Sequence, residues 1–208
     1  FFLSLILTHL STFLGYIQME NQKIAKIVQE LEKTMKNEGI DPRCGLPESL
    51  FLLASSLTPI VNIDLLIADC KKGILLTWRD DPFYGKGWHI PGGCVRMKET
   101  LDKRIQITAL NELGMKVDYQ QEPIVVREAM INMERPWLNN QLYRSHNISF
   151  LYFATLPLGY KLRNNSQDEH SVGYVKWFTE CPDDLLPCHR ELYGDILEKY
   201  LTQVGMQR

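Results

Sequence analysis

Along the chain, apolar positions alternate between a helical and an extended spacing. From Met19 to Glu38 they fall at Ile24, Ile27, Val28, Leu31 and Met35, an amphipathic helical stripe that Gly39 and Pro42 end. Leu46 to Leu57 predicts a second, short helix, with Pro47 and Glu48 in its first turn and Pro59 after its end. "IVNIDLLIAD" and "GILLTWR" then form two Leu-rich and β-branched runs joined by "CKKG", the signature of a hairpin. The loop "DDPFYGKG" leads into Trp88. Helical spacing returns from Leu101 to Leu113, with apolar coverage wide enough to be buried on more than one side. "PIVVREAMI", "HNISFLYFATL" and "VGYVKWF" predict further strands, and a last helix runs from about His189 to Leu201. This order predicts an α/β (α+β) sandwich in which helices flank a mixed sheet.

Three regions follow. Residues 1–18, "FFLSLILTHLSTFLGYIQ", carry no Lys, Arg, Asp or Glu. They lack the positive start and small-residue cleavage site of a signal peptide, and Thr8, His9, Ser11, Thr12 and Gly15 interrupt their apolar run. The expectation is a segment foreign to the protein, with Met19 as the natural start and no membrane association of the mature domain. Residues 19–57 form a helical extension. A homodimer would cover its apolar stripe, and so would packing on its own domain. Residues 58–205 form the domain that carries the chemistry.

Composition narrows the function classes. Of 208 residues, 45% are hydrophobic and 23% charged, as in soluble globular proteins. A formal net charge of -2 argues against a broad nucleic-acid footprint, but not against a small phosphorylated ligand. The five cysteines form no CxxC pair, which removes zinc-ribbon and thioredoxin-like readings. Reduced thiols imply a cytoplasmic protein.

Candidate chemistry concentrates in "KGWHIPGGCVRMKETLDKRIQITALNELG", Lys86 to Gly114. Consecutive glycines allow close backbone approach, and a glycine carbonyl outside the sheet ladder can face a hard cation. Glu112 ends the following helix, where the dipole gives a carboxylate no support. Asp64, inside an apolar strand, needs a partner. Trp88 is a platform for a base or sugar, or else core. His89 faces the opposite side of its strand from Trp88, so at most one of the two lines a site.

The spacing of Gly93, Glu99, Glu112, Gly114 and Met115 resembles the Nudix box, G-x5-E-x7-R-E-U-x-E-E-x-G-U with U apolar. Ile107, Thr108 and Asn111 replace its Arg, Glu and penultimate Glu. One branch of the family, GDP-mannose mannosyl hydrolase, lacks the same core. "LTPIVNIDLLI", "LLTWR" and "GKGWHIPGG" are similar to its first strands and its approach to the box. The resemblance is close over about residues 57 to 118 and looser to Phe178.

This resemblance implies a Nudix-like α/β/α sandwich and a Mg2+ (or Mn2+) dependent hydrolase of a nucleotide sugar. Water would attack sugar C1 and release nucleoside diphosphate. It implies metal ligands at the Gly92 carbonyl, Glu112 and Glu169, with His170 as general base; these last two lie in "SQDEHSVGYVKWF". It implies substrate binding by Asp64, Arg79 and Trp88. The branch's arginines after the glycines and late in the box helix are Cys94 and Ile107 here. Arg96 and Arg104 are the candidates to supply those charges, Arg96 in binding and Arg104 in catalysis. Two other readings stand beside this one: a pyrophosphohydrolase of a nucleoside diphosphate derivative, and a non-catalytic nucleotide-sugar-binding domain.

Overall fold

The computed structural model describes residues 2–131, 134–162, 164 and 168–205, and side chains within 20–202 of that set. The chain forms two compact units, Phe1–Pro47 and Glu48–Arg208. In the first, helix α1 spans Phe2–Asn37. It runs upstream of Met19 because nothing between them, no proline above all, stops a Leu- and Ile-rich helix. Gly39, at φ 66°, turns the chain out of it. Ile24, Ile27 and Val28 lie exposed along it. Among the described residues no helix is long and apolar enough to cross a membrane.

The second unit begins with α2 (Glu48–Leu57) and then builds a mixed sheet from β1 (Ile60–Asp69), β2 (Gly73–Asp81), β3 (Gly85–His89), β4 (Gly92–Cys94), β5 (Asp118–Tyr119), β6 (Val125–Met130), β7 (His146–Thr155) and β8 (Val175–Phe178). Helix α3 (Leu101–Leu113) precedes β5, and α4 (Pro187–Gly205) closes the unit. The spine of the sheet runs β3-β2-β1-β7-β5, with β4 on β1, β6 on β7 and β8 on β2. The parallel pairing of β1 with β7 makes it mixed. The predicted hairpin joins β1 and β2: Asp69 Oδ1 accepts from the Lys71 and Lys72 amides, and Gly73 takes φ 93°.

Alternation along the strands sorts side chains onto two faces. Ile63, Leu65, Ile67 and Leu75 pack with Ile105, Ala109 and Leu113 of α3. Leu66, Ile74, Leu76, Trp78 and Trp88 pack with Tyr193, Leu197 and Leu201 of α4. The result is the expected α/β/α layering. Helix α3 has the bounds that its apolar spacing predicts. Thr100 caps its start by accepting from the Lys103 amide, and Gly114, at φ 75°, returns its amide to Leu110 O.

Candidate active site

The two glycines are required by their neighbours. Gly92 pairs with Asp64 across β1 and β4, and a Cβ there would collide with the Asp64 carboxylate. A Cβ on Gly93 would lie 2.7 Å from Thr108 Oγ1 of α3. The register also frees a carbonyl. Leu65 N donates to Pro91 O and Val95 N to Val61 O, so hydrogen-bonded pairs alternate and Gly92, opposite Asp64, falls between them. Its carbonyl therefore does not bond β1 and is free to face a ligand.

Two cavities meet at Arg79 and His89, which line both. The smaller, about 60 Å³, is walled by Asn62, Asp64, Gly92, Cys94, Arg144, Asn147 and His189. The larger, an open cleft of about 530 Å³, holds Glu112, Asn111, Asp80, Asp81 and the stretch Ser171 to Tyr174. Arg79 brings a guanidinium to their junction, with Asp81 Oδ2 3.4 Å from its Nε.

Buried Asp64 receives the Tyr193 hydroxyl at 2.6 Å. Burial pushes its pKa up to about 6, against the opposing pull of Tyr193, Arg79 and Ser149. Burial likewise raises Glu112, while Arg79 and Thr77 hold it down. His189 accepts from the Ile90 amide at its Nδ1, and burial and Arg79 lower its pKa to about 3, so it is neutral.

Glu112 sits in an under-satisfied chain. His89 Nδ1 lies 2.8 Å from Ile90 O, a pure acceptor, so that nitrogen carries the ring proton. Burial, with Arg79 and His189, keeps His89 neutral, which leaves its Nε2 as an acceptor. The Thr77 hydroxyl lies 2.8 Å from that Nε2 and 3.1 Å from Glu112 Oε2. One hydroxyl proton thus faces two acceptors. A cation on Glu112 removes the competition, since Thr77 can then donate to His89. A carboxylate and the Gly92 carbonyl are the oxygen donor types that fit magnesium, which accepts few protein ligands and keeps water or phosphate oxygen for the rest. Among the described residues no group of three His, Cys, Asp or Glu side chains is placed to hold a metal.

Glu169 and His170, the loop residues expected to complete this site, make other contacts. Thr77 and Trp78 are consecutive in β2 and point to opposite faces; Thr77 meets Glu112, whereas Trp78 meets the His170 ring, 4.5 Å between centroids. Exposed His170 packs on Trp78, and the stretch that follows it, Ser171 to Tyr174, lines the larger cleft with Glu112. Glu169 pairs with Lys176 Nζ at 2.6 Å, and Lys176 lies opposite Leu76. The start of the loop, Ser166 and Gln167, lies outside the described residues. Trp88 is core, 2% exposed against Trp78 and Phe178. Arg96 is exposed and lines neither cavity. Asp64, Arg79, Gly92 and Glu112 remain around the two cavities.

No family model matches the chain. The low-salt glycan biosynthesis protein Agl8 of Haloferax volcanii is 32% identical over 83 residues, 39% of this chain and 52% of that protein. The chain thus matches about half the length of this curated relative. A MutT Nudix hydrolase from Burkholderia pseudomallei superposes with a TM-score of 0.50 at 21% identity, over 69% of this chain and 98% of that one. The chain has the Nudix fold. A MutT protein from Methanosarcina mazei superposes with a TM-score of 0.48 at 18% identity, covering 69% and 94%.

Glu99, just before α3, serves structure. Glu99 Oε2 receives Arg104 Nε at 2.7 Å and the Arg96 amide at 3.0 Å. Burial alone would raise Glu99; the Arg96 amide and the Arg104 guanidinium overcome it and hold its pKa low. Both side chains of the pair are 4% exposed. Arg104, expected at the reacting group, instead ties the box loop to the helix beneath Gly93, because a buried guanidinium must keep its carboxylate. Sequence reasoning missed Thr77, His189, Tyr193, Asn147 and Arg144. Only Thr77 carried a signal, as a polar residue within the apolar run "GILLTWR".

Proposed function

We propose that the chain is a magnesium-dependent hydrolase of a nucleotide sugar, in which water attacks sugar C1 and nucleoside diphosphate leaves. The observation that carries this reading is that a lone box-helix carboxylate, Glu112, shares the larger cleft with Arg79. Attack at phosphorus within the box tradition recruits several helix carboxylates, and Ile107, Thr108 and Asn111 supply none. Attack at carbon asks mainly for neutralisation of a departing diphosphate. Glu112 and the Gly92 carbonyl would hold the ion, which supplies Lewis-acid charge to the leaving group.

The remaining work falls to protein side chains. Arg79 orients the diphosphate by charge-assisted hydrogen bonds. Asp64 is the carboxylate lining the smaller cavity, and it takes the proton of the attacking water. The new oxygen–C1 bond forms as the bond from C1 to the phosphate oxygen breaks, and its electron pair leaves with the diphosphate. The glycan-related name of the archaeal relative supports a sugar-bearing substrate.

A panel of GDP- and UDP-sugars, incubated with Mg2+ or Mn2+ and resolved by chromatography, tests this reading. Nucleoside diphosphate plus free sugar is the expected product, lost with EDTA. Nucleoside monophosphate plus sugar phosphate would overturn attack at C1.

A further inference from the structure

Arg144 is a cation without a counter-ion at the cavity wall. No carboxylate lies within ion-pair distance of it among the described residues. Its guanidinium is caged instead by Phe51, Phe83 and Tyr84, with ring centroids 5.6, 5.0 and 4.8 Å away. Its Nε is buried with no hydrogen-bond partner. The backbone is set to present it: Arg144 takes φ 51°, a left-handed conformation, and its amide donates to Ser55 Oγ at 3.0 Å.

The wall around it is also unfinished. Asn147 is 4% exposed, and its Oδ1 and that of Asn62 have no partner. Either amide, turned by half a rotation, presents NH2 instead of oxygen, so both can donate to an anion. Arg79 lines the same cavity. The one carboxylate there, Asp64, is already engaged by Tyr193. Two guanidinium groups and two amides thus face a space the size of a single small anion. Cys94 lies in the same wall.

We infer that Arg144 and Arg79 form an oxyanion subsite for one phosphoryl group of a diphosphate, Arg144 reaching it from just before β7. The subsite deepens the proposed reading, as the place that receives the departing diphosphate, but its test does not require turnover. Titration calorimetry of the full chain with inorganic pyrophosphate, with GDP and with guanosine measures it directly. Arg144→Gln should weaken pyrophosphate and GDP by about tenfold to a hundredfold, and leave guanosine unchanged. Arg144→Lys, which keeps a point charge but not the guanidinium fork, should recover part of that loss and also reports if the glutamine variant fails to fold.

Equal affinity of wild type and both variants for pyrophosphate would overturn the subsite, as would wild type that binds neither pyrophosphate nor GDP. Binding that depends on Arg144, in a protein that cleaves no nucleotide sugar, would uphold the subsite and remove the hydrolase reading. Cleavage untouched by Arg144→Gln, with unchanged GDP affinity, would do the reverse.

Discussion

Glu112 Oε2 and His89 Nε2 lie 3.8 Å apart, with the Thr77 hydroxyl within hydrogen-bond distance of both. A partly buried carboxylate that shares its side-chain donor with a neutral imidazole is poorly stabilised as an anion, and a divalent cation is the partner that corrects this. Glu112→Gln should therefore lower kcat/KM by at least about a hundredfold, the weight of a lost metal ligand. Thr77→Val, which removes the group orienting that ligand, should weaken metal affinity about tenfold to a hundredfold. Manganese titration followed by electron paramagnetic resonance reads both; unchanged affinity in Glu112→Gln would contradict the assignment.

The pH dependence of stability reports on Asp64. Its pKa is raised from 3.8 to about 6, so between these values the folded chain holds a proton that the unfolded chain has released. Stability then falls as pH rises through this window, by an amount on the order of 3 kcal/mol. Urea unfolding in EDTA from pH 4 to 7 should show this slope in wild type and a flatter one in Asp64→Asn. Parallel profiles would mean that Asp64 does not titrate as described.

The loop after residue 167 offers a sharp contrast. His170 rests against Trp78 and Glu169 is held by Lys176. His170→Ala and Glu169→Gln should change kcat/KM by little more than about twofold, the range of surface substitutions. A loss of a hundredfold or more in either would return the base or the metal ligand to this loop.

These two cases mark what a single sequence carries. The bounds of α3 are legible because apolar spacing, Thr100 and Gly114 act within one helix, and the β1–β2 hairpin because Asp69 and Gly73 make its turn. The surroundings of Glu112 are partly legible, since Gly92, Gly93 and Glu112 belong to one continuous stretch. The loop is not: which face Glu169 and His170 occupy depends on the register of β8 on β2, Leu76 opposite Lys176, set by packing between distant segments. Arg144 is unreadable for the same reason. Nothing near it in sequence says that it shares a cavity with Arg79. Trp88 shows the converse, a residue whose strand position is legible but whose neighbours, Trp78 and Phe178, make it core.

Glu99 and Arg104 should behave as structure. Removing either partner strands a buried charge, so Glu99→Ala or Arg104→Ala should cost about 3–5 kcal/mol of stability. The double replacement Glu99→Leu with Arg104→Met should recover most of that cost. Chemical denaturation of the three variants checks this. A stable Arg104→Ala protein with abolished kcat would instead place Arg104 at the reacting group.

Hydrolysis of GDP-mannose in oxygen-18 water with magnesium, its products weighed by mass spectrometry, tests the central claim most directly. Attack at C1 predicts label in the free sugar and unlabelled GDP. Label in a phosphate product would contradict it and make the protein a pyrophosphohydrolase.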